Sequence, residues 1–99
     1  MEKDLRLIEL FELYQGLLTE RQRELFSCYY LYDLSLSEIS EPEGKTRQNV
    51  YESLKKVKEK LNGYEEILGL KSKFEELEQI SARMKDEQLS KEILEIIGR

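Results

Sequence analysis

The stretch from Leu34 to Val57 reads "LSLSEISEPEGKTRQNVYESLKKV", and its helix starts and stops restrict the fold more than any other part of the chain. Ser35 followed three residues later by Glu38 is a capping box. Pro42 and Gly44 then leave room for only about two turns of helix, with Leu36 and Ile39 facing inward. Thr46 is the next N-cap, and Val50, Leu54, Val57 and Leu61 step by four, three and four along one face of a longer helix. Asn62-Gly63 is expected to close it. Over Thr46–Leu61 that helix would be roughly 24 Å long. The stretch therefore encodes a short helix, a tight glycine-containing break and a long helix.

The flanking sequence has the same periodicity. Leu7, Phe11, Tyr14 and Leu18, with Leu10, Leu13 and Leu17 beside them, predict a first helix over Lys3 to Leu18 with a broad apolar face. Thr19 with Gln22 forms another capping box, and Leu25, Phe26, Tyr29, Tyr30 and Tyr32 follow in a second helix ending near Tyr32. Tyr14, Tyr29, Tyr30 and Tyr32 are expected in the core. Beyond Gly63 the reading is a short segment "YEEILGL", a helix near Ser72–Lys85 and a last one near Glu87–Ile97. Ile67, Leu70, Phe74, Leu77, Ser81 and Met84 alternate three and four along a short seam that Gly69 and Ser81 weaken. Leu89, Ile93, Ile96 and Ile97, with Leu94 beside them, form an apolar stripe that needs a cover. The fold class is all-α: a helical domain over 1–63 containing a helix-turn-helix at 19–61, and a C-terminal acidic helical extension over 64–99. That extension is expected to pack on the first helix or on a second subunit.

Charge is unevenly spread. The net charge is −5, yet residues 1–44, 45–60 and 61–99 carry −6, +4 and −3, so the long helix after Gly44 is the one basic block. The chain contains no His, which removes the commonest general base and metal ligand. Its carboxylate runs read as solvated faces, and Cys28 has no neighbouring base, so an enzyme, a metal centre and a bound cofactor are not expected. With one Cys there is no intramolecular disulfide. With no apolar run of about 20 residues, membrane insertion is not expected, and with an acidic start a secretory signal is not expected. A cytoplasmic location is expected.

A short helix and a longer basic one joined across a glycine match the helix-turn-helix plan, in which the second helix of the pair lies in the major groove. With Val50 and Leu54 turned inward, Arg47, Gln48, Tyr51, Lys55 and Lys58 face outward. Arg47 and Gln48 in the first turn offer bidentate bonding to guanine and adenine. Lys45, Thr46 and the helix-start amides can hold a phosphate. Lys55, Lys56, Lys58 and Lys60 add neutralising charge, and Tyr51 can stack or donate. A Lys-rich face opposite an apolar seam is by itself only a solvated surface helix. The caps and the break are what make this one part of a motif.

"LTERQRELFSCYYLYDLSLSEISEPEGKTRQNVYESLKKVKEKL" resembles region four of bacterial sigma factors, and more closely the YlxM family of small helix-turn-helix proteins. The resemblance covers Leu17 to Leu70 and rests on "YYLYDLSLSEIS" and "TRQNVY" together. It implies a sigma region-four-like bundle without enzymatic activity, and a regulatory or accessory role in the signal recognition particle pathway. Arg47, Gln48 and Tyr51 match the exposed motif positions; Ile39, Val50 and Leu54 match the structural ones. Two departures stand in the turn. Pro42 shortens the first helix of the pair, and Lys45 takes the place after the Gly that an apolar plug usually fills, which costs core burial unless its stem snorkels.

Three functional readings result. The first is a nucleic-acid-binding regulator, with duplex DNA preferred over RNA and a homodimer as the working form. The alternative is an accessory factor that contacts signal recognition particle RNA or protein without binding DNA. A third possibility is a helical adaptor whose basic helix pairs with its dimer partner.

Overall fold

The computed structural model describes residues 4–98. Within them lie α1 (Leu5–Tyr14), α2 (Glu20–Phe26), α3 (Leu36–Ser40), α4 (Arg47–Leu68), α5 (Leu70–Ala82) and α6 (Glu87–Ile96), with no strand among the described residues. The expected helix start at Lys3 lies outside the described residues. The chain divides into two compact units, one running to Ile67 and the other from Leu68. The boundary expected at Gly63 therefore falls inside α4.

The larger unit is built on aromatic stacking. Asp4 caps α1, its carboxylate accepting the amides of Arg6 at 2.9 Å and Leu7 at 3.4 Å. The helix buries Leu7, Leu10, Phe11 and Tyr14. Thr19 and Gln22 form the expected capping box at the head of α2. The ring of Phe11 then stacks on Phe26 at 4.2 Å between centroids, and Phe26 stacks on Tyr30 at 4.4 Å. Tyr29 meets Tyr30 edge-on at 5.0 Å. Each such pair adds about 0.5–1.5 kcal/mol to what burial alone gives.

After Phe26 the chain widens into a π turn over Ser27–Leu31, with the Tyr32 amide reaching back five residues to the Ser27 carbonyl at 2.9 Å. Asp33 takes a left-handed conformation (φ 56°), tolerable for Asp because its short side chain fits the αL region. Together the wide turn and the reversal swing Tyr32 outward. It is 70% exposed, so the expectation of four core tyrosines is corrected to three: Tyr14, Tyr29 and Tyr30.

Ser35 and Glu38 cap α3 reciprocally, as their spacing requires. Pro42 does not stop the helix abruptly. It sits near the start of a 3₁₀ turn, Glu41–Glu43, that carries the chain to Gly44 at φ 66°, ψ 27°. The Gly44 amide donates to the Glu41 carbonyl at 3.1 Å and the Lys45 amide to the Ser40 carbonyl at 3.0 Å, the two bonds of a Schellman motif. The turn is thus a defined helix stop whose αL residue is the one that favours glycine. Ile39, Val50, Leu54, Val57 and Leu61 are all buried, whereas Leu36 is only half-buried.

The expectation that Asn62-Gly63 ends the long helix is overturned. α4 continues to Leu68, 22 residues and roughly 33 Å. The reason is tertiary, because the residues around the dipeptide are tied to α1 and the turn after it. Arg6 Nη1 donates to Asn62 Oδ1 at 2.7 Å, Tyr14 Oη to Glu65 Oε1 at 2.6 Å, and Tyr64 Oη to the Leu17 carbonyl at 3.1 Å. Asn62 also donates its side-chain amide to the Lys58 carbonyl at 3.0 Å, one turn back. A Cβ added to Gly63 would meet nothing within 4 Å. Gly63→Ala is therefore expected to stabilise the protein by about 0.5–1 kcal/mol, read as a higher urea midpoint at unchanged slope. A lower midpoint would contradict the continuous helix.

In the smaller unit, Gly69 (φ 62°) separates α4 from α5, so the seam read through Ile67 and Leu70 is interrupted, and Ile67 is 82% exposed. α5 and α6 form a helical hairpin with Asp86 capping α6 through the Leu89 amide. Ser81, which the sequence marks as a weak point in the seam, is its most buried residue at 1% exposure. Ser81 Oγ donates to the Ser90 carbonyl at 3.0 Å, and Ser90 Oγ returns a bond to the Ser81 carbonyl at 2.9 Å. Two small hydroxyl residues let the helices approach closely and satisfy each other's polar groups. The stripe on α6 splits: Ile93, Leu94 and Ile97 are half-buried, whereas Leu89 and Ile96 are exposed.

Candidate nucleic-acid interface

The beginning of α4 is fixed by its cap. Thr46 Oγ1 accepts the Asn49 amide at 3.0 Å, and the Thr46 carbonyl accepts the Val50 amide at 3.2 Å. Val50, Leu54, Val57 and Leu61, none more than 2% exposed, anchor one face. The 3.6-residue period then dictates what points away.

The structure groups the expected site residues in three places. Thr46, Arg47, Gln48 and Tyr51 line a shallow depression with Leu36, so the half-buried Leu36 is an apolar floor beside the first turn of α4. Tyr51, 38% exposed, is shared with a longer groove that contains Lys55 and Lys58 and is bordered by Arg6, Tyr30 and Asn62. Lys45 stands apart from both. It lines a separate depression with Arg21, Gln22, Leu25, Ser53 and Lys56, on the α2 side of α4. Having no apolar plug to offer, Lys45 stays exposed and places its ammonium 3.6 Å from Glu43.

Acidic residues temper the site: Asp4, Glu59 and Glu66 line the longer groove beside its cations, and Glu52 and Glu43 act nearby. Glu52 accepts the Gln48 side-chain amide at 2.8 Å, holding that side chain along the outward face while placing a negative charge there. Glu43, in the 3₁₀ turn, receives a bidentate grip from Arg21 of α2. Hydrogen bonding from Arg21 holds the Glu43 carboxyl below its ordinary range, and the same bond raises the Arg21 guanidinium. Burial, with Tyr29 and Asp4 nearby, pushes the Tyr30 hydroxyl up, so the tyrosine beneath the longer groove stays protonated.

Sequence reasoning missed Arg6 and Arg21 because neither lies on the basic helix; only the packing of α1 and α2 brings them beside α4. The signal for Arg21 was present in the "TERQ" cap, which fixes the phase of α2. Nothing in the sequence paired it with Glu43, 22 positions away.

A short capped helix, a Schellman turn and a long helix seated by four apolar residues define a helix-turn-helix protein, with α3 and α4 as the pair. The chain matches the UPF0122 family, described as "Putative helix-turn-helix protein, YlxM / p13 like", over residues 1–97. It belongs to that family. Among its relatives, the UPF0122 protein BH2485 of Halalkalibacterium halodurans is 45% identical over 86 residues, covering 87% of this chain and 79% of the relative. The UPF0122 proteins BCAH187_A3894 of Bacillus cereus and BT9727_3587 of Bacillus thuringiensis are each 40% identical over 102 residues, covering 98% of this chain and 93% of theirs. Among the described residues, no helix is long and apolar enough to cross a membrane.

Proposed function

We propose that this protein binds duplex DNA through the outward face of α4, in a regulatory role. The observation that carries the reading is the convergence of Thr46, Arg47, Gln48 and Tyr51 on one depression at the first turn of a helix that a Schellman turn separates from α3. The N-terminal turn of the second helix of such a pair is the part that meets base edges. Arg47 and Gln48 read bases, Tyr51 stacks or donates, and Lys55 and Lys58 neutralise phosphates, with Lys45 and Thr46 at the helix entrance.

The test is a titration of duplexes by fluorescence anisotropy at several salt concentrations. Arg47→Ala is expected to lose about 1–3 kcal/mol on the preferred sequence and little on others, flattening the preference. Lys55→Ala is expected to weaken binding to all duplexes and reduce the salt slope by about 0.9. If neither change alters binding to genomic fragments at moderate salt, the reading fails.

A second reading draws on Glu52, whose carboxylate occupies Gln48 and opposes a polyanion at the centre of the face. In it, the protein is an accessory factor contacting signal recognition particle RNA or protein, meeting RNA through shape and phosphates. A pull-down that enriches duplex DNA while particle RNA and protein are absent counts against it.

The working form in the DNA reading is a homodimer, since doubling one short basic helix multiplies affinity. In the smaller unit Leu77, Ile80, Leu89 and Ile96 are between 38% and 84% exposed, an apolar area that a second copy would cover. Sedimentation is expected to show a dimer that persists as salt rises, because apolar burial is not screened. A monomer at micromolar concentration would contradict it. The same reading places the protein in the cytoplasm, where its one cysteine stays a free thiol.

A further inference from the structure

The cations around α4 fall on two sides of its buried seam. At 100° per residue, Tyr51, Lys58 and Asn62 turn to one side of the line through Val50, Leu54 and Leu61, with Lys55 slightly further out; Ser53, Lys56 and Lys60 turn to the other. The neighbouring helices reinforce the division. Arg6 of α1 borders the groove of Lys55 and Lys58. Arg21 of α2 and Lys45 of the turn share a depression with Ser53 and Lys56. Lys60 is drawn to the same side by Gln22, whose Oε1 accepts its ammonium at 3.2 Å.

We infer that Arg21, Lys45, Lys56 and Lys60 form a second phosphate-binding flank, so that a duplex is held by both of its backbones with α4 between them. The inference rests on the DNA reading above, which already sets Lys45 at the helix entrance, and extends it to Arg21 and to a separate flank shared with Lys56 and Lys60. The dimensions agree. A B-form major groove is about 12 Å wide and a helix with its side chains is roughly 10–12 Å across, so a helix in the groove has one phosphate wall against each flank. Cations on one flank alone would neutralise one wall; here both carry them.

The side chains suit the task. Arg21 already presents its guanidinium as a fork, filled by the Glu43 carboxylate, and that fork matches a phosphate equally well. Lys56 and Lys60, four residues apart on exposed helix surface, need no rearrangement of the core to reach a ligand. Glu43 and Glu24 are the carboxylates that act on Arg21 from the turn and from its own helix. They limit the charge of the flank without matching its four cations.

The experiment compares Lys56→Gln/Lys60→Gln with Lys55→Gln/Lys58→Gln and the unaltered protein, on a random-sequence B-form duplex across a salt series. The first pair is expected to flatten the salt slope by roughly 1.8, about 0.9 per lysine, and to weaken binding roughly 60-fold at 0.1 M salt, with sequence preference unchanged. Lys56→Gln alone should produce half the flattening, which separates loss of contacts from loss of fold. If the Lys56/Lys60 variant keeps the original slope while the Lys55/Lys58 variant loses it, the second flank is overturned and the DNA reading survives. If the unaltered protein binds no duplex at any salt, both fall together. An A-form RNA duplex bound as tightly, with equal losses for both pairs, also overturns the straddling arrangement, because its major groove is too narrow to admit α4.

Discussion

Replacing Phe26 with alanine is expected to destabilise the protein by about 3–5 kcal/mol, lowering its melting temperature by roughly 15–30 °C. Phe26 is 1% exposed and lies between two rings, Phe11 at 4.2 Å and Tyr30 at 4.4 Å. Truncation removes the transfer free energy of the ring, leaves a cavity and breaks both stacking contacts at once. Neither neighbour can collapse into the gap easily, because Phe11 is fixed in α1 and Tyr30 in the π turn that follows α2. Small domains have only about 5–15 kcal/mol in all, so the variant should be largely unfolded at modest urea. A loss below 1 kcal/mol in urea denaturation would mean that the stack is not the centre of this core.

The second large effect concerns neighbours on one helix. Leu54→Ala is expected to cost about 2–5 kcal/mol, whereas a change at Lys55 should remain within about 0.5 kcal/mol of the original stability. Leu54 is 1% exposed in the middle of the seam that seats α4; Lys55 is exposed on the next 100° of the wheel. One residue holds the helix in place and the other gives its surface a charge. Duplex binding should therefore weaken in both variants for different reasons. Leu54→Ala should lose binding in parallel with a falling melting temperature, and recover it on cooling toward maximum stability. Lys55→Ala should keep its melting temperature and bind more weakly than the original protein, most of all at low salt, with the gap closing as salt rises. Equal melting temperatures for the two variants would refute the seating assigned to Leu54.

Much of the helix-turn-helix could be read from the sequence because its information is local. A Ser35 hydroxyl reaches the Glu38 amide, and Gly44 adopts positive φ, through groups a few residues apart. The step of four, three and four from Val50 to Leu61 is a property of helix geometry alone, and all four side chains are buried. Where the reading failed, a tertiary contact or an irregular turn outweighed the pattern of residue types. Asn62-Gly63 looks like a helix stop, yet bonds from Arg6, Tyr14 and Tyr64 to the surrounding chain keep the helix going. Tyr32 looks like core, yet a π turn and a left-handed Asp33 rotate it into solvent. Ser81 looks like a flaw in an apolar seam, yet Ser90 makes it a clasp.

The candidate site divides in the same way. The sequence by itself determined that cations gather on the helix after Gly44, and which of them turn away from its core, because both follow from composition and a 3.6-residue period. Only the tertiary structure decided which cations stand together. Arg21 reaches Glu43 across 22 positions, Lys45 is separated from Arg47 although they are two residues apart, and Lys60 is drawn toward Gln22 on α2. Helical phase is set by neighbouring residues, but the side of α4 that α1 or α2 comes to flank is set by how whole helices pack, and no short stretch of sequence encodes that.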